Sequence, residues 1–227
     1  MKVVIIEDDL DIIESCSLTL RIVWPELEII EANTGRKGIN AVYDYLPDVV
    51  ILDLGLPDVS GFDVLKNIRL GSSVPILVLT VRNEERDVVR ALELGANEYM
   101  IKPFRHMELI ARIKNLLRGR SLSRLSSPVK IDKMLFDPYD NTLHKDDRRV
   151  KLTHTESKLL LLLKEHSGKV VTFTFLADVI LGNNYPGAKN AIYVYIRRLR
   201  KKVEEDPANP KLIRSKLGIG YYLSETT

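Results

Sequence analysis

Five short apolar runs recur through the first half of the chain: "VVII" (3–6), "LEIIEA" (27–32), "VVIL" (49–52), "PILVLT" (75–80) and "EYMI" (98–101). A strand with one face in water alternates polar and apolar residues, so runs like these predict strands buried on both faces. Between them the apolar residues fall at helical spacing: Ile12, Ile13, Leu18, Leu20 and Ile22; Ile39, Val42 and Leu46; Val64, Leu65 and Ile68; Val88, Val89 and Leu92; Leu109, Ile113, Leu116 and Leu117. Helices between such strands cover both faces of a parallel sheet. The pattern predicts an α/β fold, a five-stranded doubly wound parallel sheet over residues 1–118.

In sheets of this kind, sites form outside the carboxyl ends of the strands. That rule selects Glu7, Asp8 and Asp9 after the first strand, Asp53 after the third, Thr80 after the fourth, and Lys102 with Pro103 after the fifth. Close carboxylates repel one another, which argues for a bound cation. An all-oxygen set with few protein ligands suits Mg²⁺. Lys102 is expected to pair with the carboxylates at rest and with a phosphoryl group when one is present. Thr80 donates to that group, and Asp53 acts as the nucleophile that forms an acyl phosphate. Asp9 and Asp11 are expected to be helix-start charges rather than ligands. Cys16 is expected to be a buried helix residue without chemistry, and none of the four scattered histidines a metal ligand.

"IIEDD", "ILDLGLPDVSGFDVL", "PILVLT" and "GANEYMIKPF" follow one another in an order and spacing that resemble the receiver domain of two-component response regulators, over essentially all of residues 1–118. The resemblance implies a CheY-like, flavodoxin-like fold. It makes Asp53 the phosphoacceptor and Glu7 and Asp8 the acidic pair; Asp8, Asp53 and the Gly55 carbonyl become the metal ligands. Thr80, Tyr99 and Lys102 are the switch hydroxyl, switch aromatic and lysine, and the bond before Pro103 is cis. It also implies an activated homodimer through the fourth helix, fifth strand and fifth helix, with cross-subunit ion pairs Glu98–Arg112 and Glu93–Lys114. Val88 stands where a cation usually faces Glu108, so one pair is missing. Val81, where the family has a small residue, is expected to restrict access to Asp53.

A linker composition, "GRSLSRLSSP" (119–128), closes this half. Charge changes across it: residues 1–120 carry 15 Lys+Arg and 19 Asp+Glu, net −4, leaving 19 and 12, net +7, for the rest. A basic half points to nucleic acid. From Val129 to Thr153 short alternating segments broken by Asp-Pro and Asp-Asp suggest a small antiparallel sheet. Three helical segments follow, "TESKLLLLLKEHSG" with a Thr/Glu cap, "TFLADVIL" and "KNAIYVYIRRLRKKVEE", and "KLIRSKLGIGYYLS" reads as a terminal hairpin. Three helices and a hairpin make a winged helix-turn-helix domain over residues 129–227. In the third helix Ile192, Ile196, Leu199 and Val203 form a core face, which leaves Asn190, Val194, Arg197, Arg198 and Lys201 opposite it, suited to a major groove.

"IYVYIRRLRKKVEEDPANPKLIRSKLGIGYYL" resembles the effector domain of the OmpR/PhoB group of response regulators. Carried over by position, Val194 and Arg198 read bases, while Asn190, Tyr195, Arg197 and Arg200 hold phosphates. Arg214, Ser215 and Lys216 belong to the wing. Tyr193 and Tyr195 replace an acidic residue and a histidine. Leu217 takes the wing position where an arginine commonly enters the minor groove, so Lys216 or Arg214 substitutes and A·T preference there is expected to weaken.

The implied function is a phosphorylation-dependent transcription regulator. Its partners are a sensor histidine kinase, double-stranded promoter DNA and RNA polymerase, the last met by the loop "GNNYPGAK" (182–189). It is not an enzyme beyond its own Mg²⁺-dependent phosphorylation and dephosphorylation. Two other classes stay open: a phosphorylation-independent DNA binder of the same fold, and an aspartate-nucleophile phosphatase, which calls for a second Asp where Gly55 sits. One cysteine excludes an internal disulfide framework. Because no signal peptide or run long enough to span a membrane is visible, a cytoplasmic location with no membrane partner is expected.

Overall fold

The computed structural model describes residues 1–123, 127–145, 148–182 and 187–224, without the side chains of residues 118–123. The chain divides into two compact units, Met1–Leu117 and Arg118–Thr227.

In the first unit β1 (Lys2–Ile6), β2 (Glu28–Ala32), β3 (Val49–Leu52), β4 (Ile76–Thr80) and β5 (Glu98–Ile101) form one parallel sheet in the order β2-β1-β3-β4-β5. Register follows the apolar runs: Val3 faces Val49, Leu52 faces Val78, and Thr80 faces Ile101. The helices between the strands are α1 (Leu10–Val23), α2 (Gly35–Tyr45), α3 (Gly61–Gly71) and α4 (Glu85–Leu94), with α5 (His106–Ser123) after β5. Odd-numbered strand residues Val3, Ile5, Val49, Ile51, Leu77 and Leu79 bury against Ile13, Cys16 and Leu20 of α1 and Leu109, Ile113 and Leu116 of α5. Alternation places their neighbours on the other face. There α2 approaches so closely that a Cβ on Gly38 would lie 2.5 Å from Ile6. The doubly wound parallel sheet is thus the observed one.

Asp9 caps α1, accepting from Asp11 N and Ile12 N, as expected of a helix-start charge. Residues 119–123, of linker composition, belong to α5; residues 124–126 lie outside the described residues. A helix already formed is extended at little cost through one Gly and two Ser.

The second unit begins with an antiparallel sheet, β6 (Val129–Ile131), β7 (Met134–Asp137), β8 (Thr142–Lys145) and β9 (Arg148–Lys151), paired in that order. Helices α6 (His154–Glu165), α7 (Phe173–Leu181) and α8 (Ala188–Val203) follow, with β10 (Val171–Thr172) before α7. The hairpin β11 (Ile213–Lys216) and β12 (Gly220–Leu223) joins β10 in the order β10-β12-β11. Leu159, Leu160, Leu163, Leu176, Ile192, Tyr195, Ile196, Leu199 and Ile213 are completely or almost completely buried. Three helices, a preceding sheet and a terminal hairpin give the winged helix-turn-helix expected. No helix among the described residues is long and apolar enough to cross a membrane.

Candidate metal centre and nucleic-acid interface

Backbone bonding delivers the first site. Asp53 N donates to Ile6 O at 2.9 Å, Glu7 N to Ala32 O at 3.0 Å and Lys102 N to Thr80 O at 2.8 Å, so each side chain leaves its strand at the same sheet edge. Ligand atoms of Glu7, Asp8 and Asp53 lie within 4.8 Å of one another, with Glu7 and Asp53 buried and Asp8 exposed. Lys102 Nζ sits 2.5 Å from Glu7 Oε2 and 3.7 Å from Asp53 Oδ1, pairing with both carboxylates. The Lys102–Pro103 bond is cis.

One cation against two buried carboxylates leaves an imbalance. Burial pushes the Glu7 carboxyl above its ordinary value, and the Asp53 charge adds to this, despite the hydrogen bond and charge of Lys102. Cys16 is buried in α1 as expected, and burial and the charge of Glu7 push its thiol up to about 12. Asp53 Oδ2 accepts Gly55 N at 3.0 Å, whereas Oδ1 is buried with no hydrogen-bond partner. A buried oxygen that accepts no hydrogen bond, beside two more carboxylates, fits a small hard cation such as Mg²⁺. Gly55 reaches Asp53 through its N–H.

Thr80 is fully buried and accepts Arg82 N at 3.5 Å. Tyr99 is buried too, its hydroxyl donating to Arg82 O at 2.8 Å. Burial, and secondarily the charge of Asp87, push that phenol up to about 12. Its ring therefore already lies inward. Val81 is 71% exposed, placing its side chain largely in solvent. The loop after Asp53 is fixed at two places. A Cβ on Gly61 would lie 2.3 Å from Asp53 O, and Asp58 accepts Gly35 N at 2.7 Å and Arg36 N at 3.1 Å at the start of α2.

Glu98 and Arg112, expected to pair across an activated dimer, also meet within the single chain. Arg112 Nη1 lies 3.0 Å from Glu98 Oε2 in the same chain, and both side chains are buried. Arg112 also bonds Glu108, four residues before it on α5, at 2.6 Å. Glu93 and Lys114 are exposed.

The second site is the outward face of α8 with the hairpin. Lys189, Asn190, Tyr193, Arg197 and Lys201 are exposed and fall along one stripe. Arg214, Ser215 and Lys216 are exposed on β11. Asn190, Arg197, Lys201 and the three wing residues thus lie where the sequence suggests. Four others do not. Tyr195 is fully buried in the core rather than facing phosphate, because Ile192, Ile196 and Leu199 turn it inward with them. Val194 is only 7% exposed. Arg198 Nη2 lies 2.9 Å from Glu156 Oε1 of α6, near enough for an ion pair though not aligned as a hydrogen bond, and is drawn off the base-reading face. Arg200 turns to the wing, donating to Ile213 O at 2.7 Å and to Ser215 Oγ at 2.9 Å.

Glu156 anchors this interface and was missed beyond its capping role. It closes the α6 capping box with Thr153, and its Oε2 also accepts Lys202 Nζ at 2.6 Å. The available signal was the spacing of Arg198 and Lys202, one helical turn apart. In sequence Tyr193 stands out only as a departure from the family pattern. Its ring meets Phe173 edge-on at 5.1 Å, and Lys189 lies over the pair. Residues 183–186, most of the loop expected to meet RNA polymerase, lie outside the described residues.

Two family descriptions match the chain, one in each unit. Residues 3–114 match the family described as response regulator receiver domain, and residues 147–223 that described as transcriptional regulatory protein, C terminal. A mutant of RitR is similar over 99% of both chains, with 22% identity and a TM-score of 0.78, a likeness of fold. A two-component response regulator from Clostridium difficile is 29% identical over 52% of this chain and 96% of its own, with a TM-score of 0.50. DrrB, an OmpR/PhoB homologue from Thermotoga maritima, is 28% identical over 99% of both chains, with a TM-score of 0.47.

Proposed function

From the premise that the chain belongs to the response regulators, as a two-component transcriptional regulator with an N-terminal receiver domain and a C-terminal DNA-binding domain, we propose that phosphorylation of Asp53 controls its binding to promoter DNA. The observation that carries this is the buried Asp53 Oδ1, with no hydrogen-bond partner, 3.7 Å from Lys102 Nζ. That oxygen attacks the phosphorus of a phosphohistidine on a sensor kinase. A P–O bond forms, the P–N bond breaks, and the imidazole leaves with its electron pair and takes up a proton. Asp8, Asp53 and the Gly55 carbonyl, with Glu7 beside them, would hold Mg²⁺, which would supply positive charge where phosphoryl oxygens approach three carboxylates. Lys102 leaves Glu7 for a phosphoryl oxygen, and the Thr80 hydroxyl donates to another.

The added charge biases the Thr80–Tyr99 edge, and the face of α4, β5 and α5 then forms a homodimer. Two winged-helix domains meet half-sites about one helical turn apart, which multiplies affinity. Asn190, Arg197 and Lys201 face the major groove, and Arg214, Ser215 and Lys216 the flanking backbone. RNA polymerase is the onward partner and the cytoplasm the location. The chain's own chemistry is confined to gain and loss of the phosphoryl group, so we assign it no enzymatic role. Asp53→Ala is expected to take up no phosphate from acetyl phosphate and Mg²⁺; uptake at the wild-type rate defeats the assignment.

A phosphorylation-independent DNA binder is the second reading. What favours it is Tyr99 lying inward already and Arg112 being engaged by Glu98 and Glu108 within one chain.

A further inference from the structure

The hairpin β11–β12 turns through residues 216–219, where Ile219 N donates to Lys216 O at 3.0 Å and Gly218 takes φ +73°. Its apex is Leu217, 96% exposed, the most exposed large apolar side chain among the described residues. The apex is held on both sides. Arg200 of α8 grips Ile213 O through Nε at 3.0 Å and Nη2 at 2.7 Å, and its guanidinium lies over the Tyr221 ring at 5.4 Å. Across the turn Phe173 N donates to Ile219 O at 3.0 Å. A Cβ on Gly220 would lie 1.9 Å from Val171 O, so β12 and β10 touch where only glycine fits.

A rigid turn that keeps a leucine in water has something to gain by covering it. The surroundings identify the cover. Arg214 and Lys216 are exposed beside the apex, and Arg200 ties the hairpin to the helix whose outward stripe carries Lys189, Arg197 and Lys201. This is a surface for a polyanion. A leucine gains nothing against phosphate oxygens, whereas the minor groove offers sugar C–H walls and the faces of base steps. We infer that Leu217 enters the minor groove of bound duplex DNA as an apolar wedge that opens a base step and bends the helix, while Arg214 and Lys216, both on β11, neutralise phosphates beside it. The proposal rests on the DNA-binding reading above. It adds a specificity determinant: sites with a flexible pyrimidine–purine step beneath the wing are preferred, because that step unstacks at least cost.

The test uses the full-length protein, the duplex it retains from a random-sequence library, and an unrelated duplex, each with donor and acceptor dyes at its ends. Wild type is expected to shorten the end-to-end distance of the retained duplex. Leu217→Ala should leave it straighter and weaken its binding about 3- to 10-fold, with affinity for the unrelated duplex and the salt slope unchanged. Leu217→Met should restore the bend. Lys216→Ala should keep the bend and lower the salt slope by about one. Since residue 217 makes no core contact, Leu217→Ala should melt like wild type. A Leu217→Ala protein that bends and binds as wild type overturns the wedge and leaves DNA binding standing. Wild type that retains no duplex at all overturns the DNA-binding reading, and the wedge with it.

Discussion

Glu156 is wholly buried and charged, and both cations that meet it come from one helix, α8. Burial alone would raise its carboxyl, but Arg198, Lys202 and the Thr153 amide outweigh that and hold it below its ordinary value of 4.5. A folded-state value below the unfolded one contributes stability that is present above the unfolded value and is lost as pH falls through the folded one. Glu156→Gln is therefore expected to cost the second unit about 3 kcal/mol at pH 7 in urea denaturation, by leaving two cations short of their partner. The difference should narrow as pH drops below 4.5; a gap constant down to strong acid refutes the ion-pair account. Glu7 has the opposite sign: its carboxyl is raised, so its charge weakens the first unit as pH rises through that raised value. Mg²⁺ should relieve this, stabilising the unit at neutral pH by about 2.7 kcal/mol at a hundred times its dissociation constant and raising its melting temperature accordingly. The gain should disappear in Asp53→Asn. Legibility was uneven at this scale. Asp53, Glu7, Thr80 and Lys102 could be placed because strand ends fix their direction. Arg198 could not, since a helical wheel gives a face but not a partner, and Glu156 lies far from it in sequence; Tyr195 follows the core face of Ile192, Ile196 and Leu199 rather than the position the family resemblance implies.

Among elements, the five parallel strands were readable because unalternating apolar runs admit few other folds. The end of α5 was less so: Gly and Ser suggest coil, yet the helix runs through Ser123. The hairpin shows how one residue holds an element together. At Gly220 an added Cβ meets backbone, Val171 O at 1.9 Å and Thr172 Cα at 2.8 Å, neither of which can swing aside. Gly220→Ala is expected to cost about 1–3 kcal/mol and to part β10 from β12. Faster amide exchange at Val171 and Tyr221 would report this; unchanged exchange would mean the strands shift together. At the other end of the chain, Asp58→Ala should lower the melting temperature of the first unit by freeing the Gly35 and Arg36 amides at the start of α2, where Thr34 remains the cap.

Across the whole molecule, charge separates the two tasks. The first half is acidic and carries the Asp53 site, and the DNA-binding half is basic, so affinity for DNA should fall steeply with salt in either phosphorylation state. The Arg112 pairs bear on assembly. Since Glu98 and Glu108 already bind Arg112 within one chain, Arg112→Ala should destabilise the first unit more than it weakens the phosphorylated dimer, measured by sedimentation. Loss of the dimer with stability intact would return that pair to the interface. The most direct test of the central claim is DNA affinity measured by titration with and without acetyl phosphate and Mg²⁺, for wild type and Asp53→Asn. Tightening of about tenfold or more in wild type, absent from Asp53→Asn, is the predicted result. Wild-type affinity that does not change on phosphorylation would contradict it.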